Sequence, residues 1–496
     1  MSKINRTIAF ILALLMVIPM LAACGKNGGS GGGTDKPDET AKPKDDEEYL
    51  DDLPDDLKFE GKTFTILCRE DNMWGNFAHE IVADEDEVEL VNQAVYKRNL
   101  TVEQRFGVNL NIDPEPGHWQ QKDEFINLFK TSIMAGDGAF DFIMSQQGFM
   151  VDISLFDLYM NVNELPYVDF EKDYYYTETM KETSVDGKQL FILGDYSLTF
   201  WEYLYLMYFN KKLAANYQIP DLYQIVRDGE WTLDKCIELS KGLYRDLNGD
   251  NWPGSEDQYG YITLYTNTCD ALPIQVGIES TRRDESGNMI IDVDQGKVVS
   301  LLEKMTGFFD TEDVYALNET GLTKDNNPLD VIFREDRALF YPERIYYAQD
   351  FRDMETDFGM IPYPKWDANQ ENYLTESQDG YSIGVVPIDI TDKELTGAMI
   401  EALTAESKRT VIPTYNEQAL TYKYTRDEES AEMLDLIREN VRTSFGQFYL
   451  GNACVSYWVR LLLMEKNTNF VSFYAANKTG YDRTLKKVIK AFDEHE

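Results

Sequence analysis

Histidine and cysteine, which supply most protein ligands to zinc, are scarce in this sequence: 3 His and 5 Cys among 496 residues. Four of the cysteines, Cys68, Cys236, Cys269 and Cys454, lie far apart and form no C-x-x-C pair. No zinc pattern can be assembled from them. We expect all four to be small buried apolar side chains, and one disulfide among them stays an alternative.

Basic residues are also few. Lys and Arg number 47 against 88 Asp and Glu, which gives a net charge of −41. Such a chain repels a phosphate backbone, so nucleic acid is excluded as a partner. The same charge argues against small anionic ligands and is compatible with neutral or cationic ones.

Two common enzyme motifs are missing. The sequence has neither the H-E-x-x-H of zinc proteases nor the G-x-G-x-x-G of dinucleotide-binding folds. We therefore expect no catalytic residues and no required cofactor. A carboxylate pair for glycoside hydrolysis cannot be recognised among 88 acidic residues, so a glycosidase remains an alternative.

Long apolar runs are absent after Met20. At the start of the chain, Lys3 and Arg6 precede an almost unbroken apolar run from Ile8 to Met20, which is typical of a secretory signal. The LAAC that follows resembles the lipobox of bacterial lipoproteins. It predicts that residues 1–23 are removed and that Cys24 is acylated, for example with palmitate.

The segment that follows is poor in apolar residues. It is first rich in glycine (GGSGGG) and then acidic (DDEEYLDDLPDD). We expect residues 24–56 to be a disordered acidic tether and the folded body to begin near Leu57.

Strand and helix patterns alternate in the first part of that body. KTFTIL, VNLNI and FDFIMS read as strands, and Val88 to Phe106 and Phe125 to Ile133 have helical spacing. This order predicts an open, mostly parallel sheet, which binds ligands beyond the carboxyl ends of its strands. Those ends lead into the polar loops CREDNMW and SQQG.

A calcium loop is a second hypothesis. In DLNGDNWPGSED, Asp246, Asn248, Asp250 and Asp257 occupy positions 1, 3, 5 and 12 of a loop, the spacing that points oxygens at a calcium ion. Asn251 stands where glycine is usual, and Asp257 is shorter than the usual Glu. A polar turn without metal is the alternative.

Aromatic residues make up 13% of the chain, and several lie beside polar residues in predicted loops or strand ends: Trp74, Trp201, Tyr341 and Trp458. A carbohydrate site needs aromatic faces for the sugar ring and polar groups for its hydroxyls. Most aromatic residues are nevertheless core residues.

Several blocks in order along about 400 residues carry a resemblance. They include FDFIMSQQG, DGKQLFILGDYSLTFWEYLYLMYFNKKL, DGEWTLDKCIEL, FREDRALFYPER and DFGMIPYPKWDANQENY. The chain resembles the extracellular solute-binding proteins of ABC importers, in the carbohydrate-type group that includes maltodextrin-binding proteins. The blocks look most like variants from Gram-positive gut bacteria.

The resemblance implies an α/β, two-lobed periplasmic-binding-protein-like fold. Each lobe would be a mostly parallel sheet flanked by helices, with crossing strands as the hinge. Lobe 1 would comprise residues 57–200 and 360–409, and lobe 2 would comprise residues 201–359 and 410–496.

The resemblance also implies which residues line the cleft. By position these are Gln146, Gln147, Trp201, Glu202, Tyr341, Glu343 and Arg344, with Asp195, Asp379 and Trp458 nearby. Trp74, in the loop after the first strand, joins them. Maltodextrin binders often present tryptophan where this chain has Gln146 and Gln147, which argues against maltose itself.

The implied function is capture of a neutral carbohydrate, an oligosaccharide, between two closing lobes, followed by delivery to an ABC permease. The protein would be a monomer, lipid-anchored at the outer face of the cytoplasmic membrane of a Gram-positive bacterium. Alternatives are a lipid-anchored surface glycosidase and a peptide binder or sensor with the same fold.

Replacing Cys24 with Ser removes the thiol that the lipobox would acylate. The Cys24→Ser variant should lose a metabolically incorporated fatty-acid label and appear in the culture medium, whereas Cys269→Ser should keep the label. A Cys24→Ser variant that stays labelled and membrane-bound would contradict the lipoprotein assignment.

Overall fold

The computed structural model describes residues 49–72, 75–318, 322, 326–416 and 427–495. The strands are β1 (Thr63–Arg69), β2 (Asn109–Glu115), β3 (Phe142–Gln146), β4 (Tyr205–Asn210), β5 (Tyr259–Leu264), β6 (Thr281–Arg283), β7 (Met289–Ile291), β8 (Val314–Leu317), β9 (Ala338–Arg344), β10 (Phe358–Ile361) and β11 (Ser382–Val385).

The helices are α1 (Leu90–Phe106), α2 (Lys122–Ala135), α3 (Gln147–Met150), α4 (Thr177–Thr183), α5 (Thr199–Glu202), α6 (Lys211–Asn216), α7 (Leu222–Arg227), α8 (Leu233–Ser240), α9 (Leu272–Gln275), α10 (Gln295–Phe309), α11 (Pro328–Arg334), α12 (Tyr347–Phe351), α13 (Lys393–Glu406), α14 (Glu428–Glu439), α15 (Phe445–Tyr449), α16 (Val455–Met464) and α17 (Phe470–Glu494).

The first sheet has the order β11-β3-β1-β2. β1 pairs in parallel with β2 and β3, and only β11 runs antiparallel to its neighbour. All five residues of β3 are buried, as expected for a strand covered on both faces. α1 and α2 each end at a glycine with positive φ, Gly107 and Gly136. The strand and helix order predicted for this lobe is confirmed.

The second sheet has the order β10-β4-β9-β5-β8. Here β5 is parallel to β8 and β9, but β4 is antiparallel to both β9 and β10. This sheet is therefore mixed rather than mostly parallel, because β4 enters it from the first lobe in the direction opposite to β9. The two sheets, each with its own helices, form the two lobes.

Two chain segments that cross between the lobes lie side by side. The first ends at Leu204 and the second passes through Ser377, and these two residues form an antiparallel bridge. The Tyr205 amide donates to the Glu376 carbonyl at 3.2 Å, and the Gln378 amide donates to the Tyr203 carbonyl at 3.0 Å. The expected hinge of crossing strands is therefore a single paired element.

The return to the first lobe comes later than residue 360, where the sequence placed it. β10 lies inside the second sheet, and the chain then stays with α8 because the Trp231 indole donates to the Pro362 carbonyl at 2.8 Å. The Lys365 amide also donates to the Trp231 carbonyl at 3.0 Å. The crossing therefore falls at residues 375–381.

The last part of the chain contacts both lobes, although the sequence assigned residues 410–496 to the second. The Tyr449 hydroxyl donates to the Thr183 carbonyl in the first lobe at 2.6 Å. At the end of α17, the ring of Phe492 packs on Phe156 of the first lobe at a centroid distance of 5.2 Å. Residues 440–454 and the end of α17 are thus shared between the lobes.

The end of the expected tether is folded. Arg105 of α1 donates to both carboxylate oxygens of Asp51, at 2.6 and 2.7 Å, and Leu53 is 6% exposed. These contacts attach the chain to the first lobe from at least Tyr49, eight residues before the boundary expected from composition. Cys24 and the signal segment lie outside the described residues.

Smaller expectations can also be compared with the structure. Thr232 caps α8, since its hydroxyl accepts from the Lys235 amide. Asp392 caps α13, since its side chain accepts from the Leu395 amide. Cys68, Cys236, Cys269 and Cys454 are free and buried. Within the described ranges, no helix is long and apolar enough to cross a membrane.

Candidate functional site

A cavity of about 1030 Å³ lies between the two lobes. The first lobe contributes residues that follow β1, β2 and β3, and the second contributes residues that follow β5 and β9. The second crossing segment and the segment that leads into α16 complete the wall. Because residues from both lobes and from the hinge line this cavity, a ligand bound in it would be positioned to contact both lobes and the hinge.

Tyrosine rings form much of one wall. The rings of Tyr203, from the first crossing segment, and Tyr346, just after β9, lie 5.3 Å apart between centroids. The guanidinium of Arg344 lies 5.5 Å from the Tyr203 ring centroid and 5.1 Å from that of Tyr346. These groups form a compact platform with apolar faces and polar edges, the combination that a sugar ring requires.

Two cavity arginines are neutralised by carboxylates. Arg344 donates through Nε to Oε2 of the fully buried Glu343 at 2.9 Å, and its Nη1 donates to Oε1 of Gln378 at 3.2 Å. Arg460 donates to Oδ2 of Asp270 at 2.7 Å. Asp123, Asp152 and Asp379 lie at exposed positions of the lining.

Four of the residues singled out in the sequence line this cavity: Gln146, Gln147, Arg344 and Asp379. Gln147 also connects two parts of the wall, because its side-chain amide donates to the Phe448 carbonyl at 2.8 Å. All four stay predicted ligand contacts. Glu343 does not face the cavity and instead supports Arg344 from behind.

Two aromatic residues expected in the cleft belong to the core instead. Tyr341 is fully buried, and its hydroxyl donates to Oδ1 of Asp330 at 2.8 Å. Trp458 is fully buried, and its indole stacks on Tyr481 with 4.2 Å between ring centroids. Both lie on faces of β9 and α16 that point away from the cavity, which their position along the sequence does not reveal.

The buried Asp195 and the partly buried Trp201 form a small cluster that does not contribute to the cavity lining. Asp195 Oδ1 accepts hydrogen bonds from the Trp201 indole and the Tyr176 hydroxyl, both at 3.1 Å. Burial raises the pKa of Asp195 to about 6, although Lys408 and these donors act against it. The structure thus gives this pair a packing role. Trp74 lies outside the described residues.

The hypothesised calcium loop folds as a polar turn. Asp246 accepts from the backbone amides of Gly249 at 2.6 Å and Asn251 at 3.0 Å, and Asp257 accepts from those of Leu247 and Gly254, both at 3.0 Å. Asn248 and Asp250 bond to each other at 3.1 Å.

The oxygens of this turn therefore bind the loop's own amides. In the ranges that the structure describes, no group of three or more His, Cys, Asp or Glu is placed to hold a metal ion. Calcium at Asp246, Asn248, Asp250 and Asp257 stays a prediction.

A smaller cavity of about 390 Å³ adjoins the tyrosine platform, since Tyr203 and Tyr346 line both cavities. Glu202, expected to be a ligand contact, lines this second cavity and pairs with His79 Nε2 at 3.0 Å. His79 belongs to the loop after β1, so this ion pair ties the first lobe to the first crossing segment.

Several residues that line the main cavity were not singled out from the sequence, among them Arg69, Trp119, Tyr203 and Tyr346. Arg69 is the last residue of β1 and lies in CREDNMW, which the sequence placed at the ligand-binding end of the sheet without singling out this residue. Tyr203 and Tyr346 carry no such signal, because helical turns and crossing segments place them.

One enzyme-like pattern was also missed. GYSIG at residues 380–384 matches G-x-S-x-G, which carries the nucleophile of many hydrolases on a strand-to-helix turn. Here Ser382 begins β11, is 2% exposed, and its hydroxyl accepts from Arg69. The pattern therefore lacks the turn that would expose a nucleophile.

No family model matches this chain, and no curated protein matches it. Solved structures do match. An ABC substrate-binding protein from Listeria monocytogenes in complex with cycloalternan has a TM-score of 0.52 at 12% identity, over 87% of this chain and 97% of that one. A cyclo/maltodextrin-binding protein complexed with maltotetraose has a TM-score of 0.52 at 12% identity, over 88% and 98%.

A third similar structure is an ABC transporter solute-binding protein from Agrobacterium radiobacter K84 in complex with ribitol. It has a TM-score of 0.51 at 12% identity, over 87% of this chain and 99% of that one. The chain therefore has the two-lobed fold of ABC solute-binding proteins, as its sequence predicted. At these identities the likeness concerns the fold.

The His79–Glu202 pair predicts a dependence of stability on pH. Burial alone would lower the pKa of His79, but the Glu202 carboxylate outweighs it and raises this pKa from 6.5 to about 9. The pair's contribution, about 3 kcal/mol, is fully present below the unfolded pKa and is lost as pH rises through the folded pKa.

Chemical unfolding should show this loss between about pH 6 and about pH 10. In the His79→Gln variant the same series should be flatter by that amount, because the titrating group is gone. Equal pH profiles for the wild type and the variant would contradict the assignment.

Proposed function

We propose that this chain is the extracellular substrate-binding component of an ABC importer, and that it captures an oligosaccharide, neutral over most of its length, between its two lobes. The observation that carries the proposal is the cavity of about 1030 Å³ whose wall comes from both lobes and from the hinge. The shared fold supports this role, and the cavity chemistry supports the class of ligand.

A sugar suits the cavity because rings and hydrogen-bonding groups alternate around it. The apolar face of a sugar ring can pack on Tyr203 or Tyr346, while its hydroxyls can bond to Gln146, Arg344 and Asp379. The pairing of Arg344 and Arg460 with carboxylates leaves most of the lining near neutrality. A neutral, hydroxyl-rich molecule suits the part of the lining that these two ion pairs form.

Closure of the lobes around the ligand would be the change that the permease recognises. A ligand that touches residues of both lobes binds the closed form more tightly than the open form, and this difference in affinity shifts the equilibrium toward closure. The paired crossing segments around Leu204 and Ser377 are where the backbone would bend. An ABC permease would then receive the closed form.

The remaining features of the proposal come from the start of the chain. Acylation of Cys24 would hold the protein, as a monomer, at the outer face of the cytoplasmic membrane of a Gram-positive bacterium. The contacts of Tyr49 and Asp51 with Arg105 support an attachment of the tether to the first lobe. The second lobe would then be free to move relative to the anchored one.

Titration calorimetry of the full chain against a panel of neutral oligosaccharides and peptides tests this function. At least one oligosaccharide should bind, and Tyr346→Ala should weaken its binding about 10-fold because a ring face of the platform is lost. Trp252→Ala, which removes a 74% exposed ring outside the cavity, should leave the affinity unchanged.

Other outcomes of that screen identify the alternatives. Binding of peptides without sugars would show a peptide receptor. Turnover of an oligosaccharide, detected by product analysis of the same mixtures, would show a glycosidase. Either result would overturn the proposal.

A further inference from the structure

We propose that the captured oligosaccharide carries a carboxylate, as a uronic acid residue does, and that Arg69 binds it. This inference rests on the proposed function and narrows its ligand class. It comes from one guanidinium group whose surroundings differ from those of the other arginines in the cavity.

Arg69 combines deep burial with incomplete hydrogen bonding. It ends β1, lines the main cavity and is 1% exposed. Its Nη2 donates to the Gly380 carbonyl at 2.6 Å and to the Ser382 hydroxyl at 3.1 Å. Nε is buried and has no partner among the described residues. The second crossing segment thus holds one side of the guanidinium and leaves donors unused on a group that borders the cavity.

The charge of Arg69 has no direct counterion. In the described part of the chain, no carboxylate lies within 4.0 Å of its nitrogens, whereas Arg344 pairs with Glu343 and Arg460 pairs with Asp270. A buried charge without a counterion costs several kcal/mol in general. If such a charge lies at the wall of a cavity, a ligand of opposite charge that binds there offsets this cost.

Nearby groups reduce this cost without removing it. The Phe77 ring centroid lies 4.2 Å from the Arg69 guanidinium carbon, a favourable cation–π contact. The Glu80 carboxylate acts from farther away and is itself held by Ser197 and Thr199. Burial still outweighs these effects and lowers the pKa of Arg69.

A carboxylate fits these requirements better than a hydroxyl. A sugar hydroxyl can accept one hydrogen bond from the guanidinium but leaves its charge desolvated. A carboxylate can accept two parallel hydrogen bonds from a guanidinium group and also supplies the opposite charge.

The acidity of the whole chain does not oppose this. Asp123, Asp152 and Asp379 are exposed, and solvent and salt screen exposed charges over about 8 Å at physiological ionic strength. Arg69 is shielded from solvent, and its attraction for an anion is screened much less. The net charge of the protein affects how readily an anionic ligand approaches, and the buried guanidinium affects how tightly that ligand is bound.

A matched ligand series tests the proposal without any change to the protein. Di- and trisaccharides that end in a uronic acid are compared by calorimetry with the same sugars as uronamides and as their neutral parent sugars. The acid should bind at least about 10-fold more tightly than its uronamide, since the two differ in charge and hardly in shape.

Variants then assign the preference to Arg69. Arg69→Gln should bring the acid-to-amide affinity ratio to within about 2-fold of unity, and Arg69→Lys should keep part of the preference because it keeps the charge. Arg282→Gln, which removes an exposed arginine on the β6–β7 hairpin, should keep the ratio. Unfolding curves of each variant report any loss of stability separately.

The outcomes separate this inference from the proposed function. If neutral sugars bind and acids bind no more tightly, the inference fails and the proposed function stands. If Arg69→Gln lowers stability but leaves the acid-to-amide ratio unchanged, Arg69 is structural and the inference fails. If no sugar of either kind binds, both fail.

Discussion

The pairing of two crossing segments, through the bridge between Leu204 and Ser377, is the constraint on which the rest of the molecule depends. Because the chain passes between the lobes here, the carboxyl ends of β1 and β3 face those of β5 and β9 across one cavity. The same segments deliver Tyr203 and Gln378 to its wall. The crossing segments therefore supply part of the cavity wall, so a bend at these segments would change the shape of the proposed binding site.

Two arginines at the cavity wall are each paired with a carboxylate of the protein. Glu343 and Asp270 each neutralise an arginine, so these guanidinium groups offer directed hydrogen bonds without a large unpaired charge. Arg69 differs because its contacts, a carbonyl and a hydroxyl of the second crossing segment, are neutral. This charge lies at the end of β1 and contacts the second crossing segment through the Gly380 carbonyl, so a ligand that binds Arg69 would act next to the hinge.

The sequence predicted the fold better than the site, for a physical reason. The alternating pattern of β1 and the apolar run of β3 are local features of the sequence, so these strands can be recognised without knowing what packs around them. The direction of a side chain such as Tyr341 or Trp458 depends on which face of its element meets the core, and that is set by distant parts of the chain. Gln146 and Gln147 could be placed at the cavity because ligands bind beyond the carboxyl ends of parallel strands. The position of Tyr203 depends instead on how the first crossing segment turns.

Small-angle X-ray scattering of the protein with and without a calorimetrically identified sugar tests the central claim most directly. If the ligand joins the two lobes through a cavity built on the hinge, the radius of gyration should fall on saturation and return after the sugar is removed. An unchanged radius of gyration at full occupancy would contradict the account, because binding would then occur without the closure that the shared hinge and site require.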